Sequence, residues 1–421
     1  LPEDDKVKTF NPNFSEAKII KAVDTIIIDE VSMVRSDVIE AIDYSLRKNM
    51  LTPKLPFGGK QMLFIGDVFQ LPPIVDSDNE VEKKLFETFY ISKYFFDAFA
   101  YERLNPKTFA FQKVHRQVNI EFIRLLNKVR NYSISPIEIE LLNQRYRPNL
   151  NSNSEDFSIM LTSTNYIAKK ENDIKLQKVP NGSFFYQAEI EGDYRKDKFP
   201  TELNLELRRG AQVMFIKNDS FDNGRRWVNG TLAKIEFISE DIVEVRLKDG
   251  TIHTIEKEIW ENRKYNWDQR EKKITTEVIG TFKQFPLKLA WAITIHKSQG
   301  LTFENLIIDL GRGAFASGQL YTALSRCKSF EGITLKRKIT IDDIIPDNRL
   351  IEFYKKNISE NLDEETIEES TSYPQNDNSE TGQNPLGDSP VVTQINPTVK
   401  TQPHHEPEPT EPHKEPNTKI K

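Results

Sequence analysis

TIIIDEVSMV, residues 25–34, sets a β-branched run, Thr25 and three isoleucines, directly before two adjacent acids, Asp29 and Glu30, with a hydroxyl at Ser32. Such a run favours an extended strand. A strand that ends in carboxylates delivers them to the edge of a sheet. An oxygen-preferring cation such as magnesium and a base poised beside a phosphate both need carboxylates there. The same ten residues also read as a buried strand that meets a solvated acidic turn, so the neighbouring stretches decide between the two.

Outward from this stretch the chain alternates strands and helices. SDVIEAIDYSLRKNM (36–50) is an amphipathic helix with Ser36 as its expected N-cap. QMLFIGD (61–67) is a second buried strand, and it runs on as FIGDVFQLPPIV (64–75). That strand again ends in a polar turn, at Gly66 and Asp67, and Gln70 follows three residues later. A glutamine amide both donates and accepts, so it could touch a terminal phosphate or its water. Pro72 and Pro73 stiffen the exit from the turn. NIEFIRLLNKVRN (119–131) reads as a helix and SIMLTSTN (158–165) as a strand ending in small polar residues. Alternating strands and helices predict a parallel sheet covered on both faces. Over residues 184–278 the texture changes. GTLAKIEF, DIVEVRL and TIHTIEKEI alternate with period two, and Asp249-Gly250 is a hairpin turn. A small antiparallel barrel inserted into an α/β domain is expected. Buried α/β texture returns with LKLAWAITIHKSQG (287–300) and NLIIDL (305–310).

At 421 residues the chain can bury several cores. Its one cysteine, Cys327, excludes a disulfide framework and points to a reducing, cytoplasmic setting. No apolar run approaches the ~20 residues that cross a bilayer, so no membrane association is expected. The net charge of -6 hides an asymmetry: residues 360–421 hold 13 acids and 4 bases, which leaves the remainder at +3. A slightly basic body can carry a basic groove. The segment from about 358 to 421 holds 9 of the 22 prolines and is expected to be a disordered acidic tail. His404, His405 and His413 in it fit either a solvated linker or a metal-binding tract.

Several blocks follow one another in a fixed order: IIIDEVSMV, then LPFGGKQMLFIGDVFQLPPIV, VHRQ (114–117), LTSTN (161–165), RRGAQVMFIKND (208–219), WVNGTLAKI (227–235), WAITIHKSQGLTF (291–303) and GQLYTALSRCKSFEGITL (318–335). Together they resemble the Pif (petite integration frequency) helicases, of the superfamily-one branch that travels 5′ to 3′ alongside RecD and Dda. The resemblance spans about residues 22–340.

The resemblance implies two RecA-like domains of the phosphate-loop NTPase type, the first incomplete, over residues 1–112 and over 113–183 with 279–345. An SH3-like barrel would be inserted at 184–278. It implies an ATP-dependent DNA helicase using ATP and Mg2+, with single-stranded DNA and forks as partners, monomeric, with roles in repair, recombination and telomere maintenance, and nucleoid-associated if the source is bacterial. Asp29 would hold the magnesium, Glu30 would be the general base and Gln70 would sense the γ-phosphate. Arg116 and Arg326 would be arginine fingers, since a guanidinium is always charged and forks onto phosphate oxygens. Asp67 and Gly300 would also border the nucleotide. Thr162, Asn165, Thr294, His296, Lys297 and Ser298 would contact the DNA backbone without reading sequence. Arg225, Arg226 and Trp227, in FDNGRRWVNG, would grip backbone and stack a base; a tryptophan in the barrel's own core is the equal alternative.

The phosphate loop that should precede Asp29 has no match. G-x-x-x-x-G-K-[ST] needs a glycine-rich turn whose amides cradle phosphates. Gly58-Gly59-Lys60 is followed by Gln61, and Lys297-Ser298 has no glycine in front. The expectation is therefore an N-terminally truncated helicase with weak or no ATPase of its own and with uncovered apolar edges in its first domain. The rival is a non-hydrolysing single-stranded-DNA-binding relative. A third reading takes the phosphate loop from another chain.

Overall fold

The β-branched run at the start of that stretch extends as β1 (Thr25–Ile28), after a short helix α1 (Ser15–Ala22). The computed structural model describes residues 15–75, 79–111, 113–149, 157–220 and 224–357. The expected acidic tail and its three histidines lie outside them. Past the acids the chain forms α2 (Ser36–Met50) and returns as β2 (Gln61–Phe64), parallel to β1 with Ile26 opposite Met62 and Ile28 opposite Phe64. Arg35, not Ser36, is the N-cap of α2. Ser36 is its first helical residue, and its hydroxyl donates to Ser92 O at 2.8 Å, fixing the far loop instead of the helix end. The two strands are covered on one face only. Ile26, Ile28, Met62 and Phe64 pack on a core of Ile39, Phe57, Phe95 and Leu350, whereas Ile27 is 60% exposed and Leu63 46%. The expectation of fully buried strands is corrected here: side chains alternate along a strand, and only one of the two sets has neighbours. Helices α3 (Glu80–Thr88) and α4 (Phe99–Leu104) complete this first lobe.

The second lobe begins with α5 (Ile120–Arg130), capped by the Asn119 side chain, and α6 (Pro136–Asn143), opened by a Ser135–Glu138 capping box. The strand β3 (Ile159–Thr162) leads to α7 (Asn165–Lys178), capped by Thr164. An all-β insertion follows: β4 (Phe184–Gln187), β5 (Glu189–Gly192), β6 (Asn204–Leu207), β7 (Gln212–Phe215), β8 (Leu232–Ile238), β9 (Val243–Leu247), β10 (Ile252–Ile255), β11 (Glu258–Asp268), β12 (Lys273–Gln284) and β13 (Leu287–Leu289). Five of these form an antiparallel sheet in the order β10-β9-β8-β7-β13, and a long hairpin of β11 and β12 pairs with β5. The turn between β9 and β10 is the expected one: Gly250 has φ +87°, where a side chain is strained. The expected edge of the insertion, residue 278, falls inside β12, and β13 still belongs to the five-stranded sheet.

The chain then re-enters the second lobe through β14 (Ala292–Thr294), β15 (Leu306–Asp309), α8 (Gln319–Leu324) and β16 (Ile333–Leu335). These build a four-stranded parallel sheet in the order β14-β3-β15-β16. The last helix, α9 (Asn348–Asn357), leaves this lobe and roofs the first. Leu350 is buried in the first-lobe core, the Phe353 ring stacks on Phe96 at 4.1 Å, and Arg349 Nε donates to Asp97 Oδ2 at 2.8 Å.

Candidate functional site

The two acids after β1 occupy a tight turn. Glu30 has left-handed backbone angles, φ 48° and ψ 42°. For a residue with a Cβ that conformation costs on the order of 1–3 kcal/mol and recurs at functional sites. The Glu30 amide donates to Asp29 Oδ1 at 2.8 Å, and the next amide, of Val31, donates to Ile65 O at 2.9 Å, so the turn is pinned to the strand beside it. Asp29 is exposed and Glu30 half-buried.

After β2, Asp67 organises the next turn: Oδ1 accepts from Phe69 N at 3.1 Å and its carbonyl accepts from Gln70 N at 3.0 Å. This turn meets α8 of the second lobe at three points. Gly318, the N-cap of α8, has φ +72°, and a Cβ there would lie 2.3 Å from both the Phe69 and Gln70 carbonyl oxygens, so only glycine permits the approach. Tyr321 Oη donates to Asp67 Oδ2 at 2.9 Å. Arg326 Nη2 reaches Gln70 Oε1 at 3.4 Å. The VHRQ motif closes the site from the other side, since Arg116 Nη1 and Gln117 Nε2 both donate to Ser325 O at 3.0 Å.

The result is a cavity of about 200 Å3 between the lobes, lined by Gln70, His115, Arg116, Asn127, Tyr321 and Arg326 among others. Burial, and then the neighbouring Arg116 charge, push Arg326 down to about 10, while Glu30 and Asp67 act in the opposite direction. Burial also lowers Arg116, again opposed by Glu30. Two desolvated guanidiniums facing each other carry a strong preference for an anion between them. Asp29, exposed and next in sequence to Glu30, suits magnesium, which keeps several waters and takes one or two carboxylates. Among the described residues no group of three or more His, Cys, Asp or Glu side chains forms a complete metal cage.

The PIF1-like helicase family model matches residues 2–138 of the chain. The ATP-dependent DNA helicase Pif1 of Campylobacter jejuni is 30% identical over 359 residues, covering 80% of this chain and 76% of that protein. The chain belongs to the Pif1 helicase family. The family's members that it matches are named ATP-dependent DNA helicases, so they are enzymes. Against Rattus norvegicus PIF1 the identity is 29%, over 78% of this chain, and the chain spans about half, 48%, of that relative. Among solved structures, Bacteroides sp. Pif1 in complex with ADP-AlF4 is 35% identical, with a TM-score of 0.75, covering 85% of this chain and 80% of that one. Bacteroides Pif1 bound to ssDNA gives a TM-score of 0.61 at 35% identity, over 86% of this chain and 81% of that one. The mixed α/β fold of this Pif1-family chain is thereby matched over most of its length.

The residues expected at the DNA divide into two groups in this Pif1-family chain. Thr162, Thr294 and Ser298 are buried and spend their hydroxyls on backbone: Thr162 Oγ1 donates to Thr164 O at 3.0 Å, Thr294 Oγ1 accepts from Lys297 N at 3.3 Å, and Ser298 Oγ donates to Ile295 O at 2.7 Å. These bonds shape the strand-end loops; Thr162 and Ser298 spend their hydroxyl protons on carbonyls, whereas Thr294 only accepts. Asn165 and Lys297 are exposed beside them, and His296 is half-buried, its pKa lowered by burial. Gly300, with φ +74°, is exposed just past this loop. Trp227 takes the alternative left open by the sequence: it is 7% exposed, stacks on Phe215 at 4.3 Å and belongs to the insertion's core. Arg226 lies 4.3 Å over its ring and is held by Asp219 at 2.7 Å, so the expected base-stacking ring is already packed by protein groups. Arg225 precedes this stack with left-handed backbone, φ 53°.

Asp67, expected to border the nucleotide, has both of its oxygens in contact with protein donors. Sequence reasoning missed Gly318, Tyr321 and Arg130 at this junction. It also missed Lys288, whose charge in the apolar run LKLAWA was the available signal.

Proposed function

We propose that this chain is the motor of an ATP-driven helicase that moves 5′ to 3′ on single-stranded DNA and opens forks, its two parallel sheets being RecA-like lobes and its insertion an SH3-like barrel. The observation that carries the proposal is the cavity at which Gln70, Arg116 and Arg326 meet, with Glu30 acting electrostatically on both guanidiniums. Magnesium-ATP, when bound, supplies the γ-phosphoryl group and the cation that offsets its charge. The chain's residues do the rest. Asp29 holds the cation side, Glu30 accepts a proton from the attacking water, and Gln70 orients that water through an amide that donates and accepts. Arg116 and Arg326 stand where negative charge develops. Asn165, His296 and Lys297 bear on the DNA backbone from the second lobe. The setting proposed is the reducing cytoplasm, as the lone buried Cys327 suggests.

The sequence carries no G-x-x-x-x-G-K-[ST] pattern. We therefore expect slow single-strand-stimulated ATP hydrolysis from this chain by itself, and fast hydrolysis once a phosphate-loop segment is joined ahead of residue 1. In that joined chain Glu30→Gln should lower turnover by about 100-fold or more while nucleotide binding persists. Equal turnover with and without the added segment, or full turnover in Glu30→Gln, would overturn these assignments. A joined chain that binds single strands and never hydrolyses would favour the non-hydrolysing relative.

A further inference from the structure

The turn that carries Gln70 is gripped from the opposite lobe by residues outside the roles given above. Arg130, the last residue of α5, directs Nε and Nη2 at Asp67 Oδ1, each at 3.4 Å. Its guanidinium lies 4.5 Å from the centre of the Phe69 ring and 5.3 Å from that of Tyr354. Tyr354 belongs to α9, and its ring meets Phe69 edge-on at 5.2 Å. Tyr321 takes the other Asp67 oxygen at 2.9 Å. The two halves of the nucleotide cavity are thus joined through one carboxylate of the first lobe, a cation and a phenol of the second, and the returning helix.

We infer that Arg130 and Tyr321 are positioning residues: by holding Asp67 from the second lobe they fix the turn that presents Gln70 to Arg326, and Tyr354 ties that grip to α9. This rests on the reading of the cavity as a nucleotide site. Electrostatics agrees with the geometry. Burial opposes the Arg130 charge, but Asp67, Tyr321 and Tyr354 outweigh it and the net shift is upward. Burial, and then Asp67, raise the Tyr321 phenol, so it remains a donor. Removing one partner leaves a charge in a low-dielectric junction without its complement. Because Gln70 is three residues from Asp67, and Arg326 is five from Tyr321, a loosened grip changes where sensor and finger meet. Gly318 lets α8 approach closely enough for this to happen.

The test uses the full chain and two measurements. Asp67→Asn, Tyr321→Phe and the double variant are unfolded in urea, and affinities for ADP and for ADP–aluminium fluoride are compared, in the chain joined to a phosphate-loop segment, for wild type, Tyr321→Phe and Arg130→Lys. The double variant should be no less stable than the weaker single variant, as expected when both changes remove one interaction. Both Tyr321→Phe and Arg130→Lys should lose about tenfold of the preference for ADP–aluminium fluoride over ADP, with ADP affinity unchanged. A merely structural grip would move stability and leave that preference alone. Additive single variants, or an unchanged preference, overturn the inference. If wild type itself shows no preference while the variants are non-additive, the nucleotide reading fails, and the positioning role fails with it although the contact between lobes stands.

Discussion

Two parallel sheets in this molecule are written in nearly the same alphabet and end in different environments. β1 is TIII and β3 is IMLT. Every residue of β3 is buried, with Ile159 and Leu161 fully so, because β14 and β15 flank it and helices cover both faces. Along β1 burial alternates, and the outer set formed by Ile27, with Leu63 on β2, faces outward. The difference shows that a β-branched run specifies a strand, and that the number of covered faces is decided by what packs against it. It also separates two kinds of contribution. The second lobe is held by sheet burial, and the first by an aromatic cluster on one side, where Phe95, Phe96 and Tyr101 meet Phe353 of the distant α9.

The comparison can be broken at four places. Leu161→Ala removes a side chain buried on every side and should cost about 2–5 kcal/mol in urea unfolding; a loss near zero would mean that the second-lobe sheet is not the closed one. Phe353→Ala removes the ring stacked on Phe96 and should cost about 2 kcal/mol, since the position is only partly buried. Preservation of first-lobe stability in that variant would show that α9 is no roof.

A charge probes the same question at the insertion. Burial, and then Lys297, push Lys288 down to about 8 from the ordinary 10.5. The folded value lies below the unfolded one, so between those two pH values the unfolded chain binds more protons and the burden on the folded state falls as pH rises. Lys288→Met should therefore be more stable than wild type below pH 8, with the gap closing towards pH 10 in parallel urea titrations. A gap that stays constant with pH would show that Lys288 is solvated. The smallest effect is expected for Ile27→Ser, within about 0.5 kcal/mol, because the side chain has few neighbours to lose. A cost like that of Leu161→Ala would mean that the outer face of β1 is covered in solution.

Much of the local structure was legible. The hairpin at Asp249 and Gly250, the helix over residues 36–50 and the strands at 25–28, 61–64, 159–162 and 306–309 stand where periodicity and turn chemistry put them. Motif order was enough to bring Gln70, Arg116 and Arg326 to one cavity, although Gln70 follows a strand of the first lobe and the two arginines belong to the second. Roles within the motifs were less legible. Thr162, Thr294 and Ser298 have the side chains of phosphate contacts, yet each hydroxyl is used by a nearby backbone group, which residue type alone does not reveal.

What the sequence determined by itself is therefore short-range: which segments are extended, which are helical, where the chain turns, and which chemical groups end each strand. Those properties depend on side-chain periodicity and backbone preference within about ten residues. Only the tertiary structure decided that one face of β1 stays open, that α9 crosses back to the first lobe, that Trp227 is a core residue and that Asp67 is an anchor between lobes. Each of the last two depends on partners that local pattern does not specify, and for Asp67 the partner Tyr321 is 254 residues away. Burial and hydrogen bonding are settled by neighbours in space, and no pattern in the neighbouring sequence carries their identity.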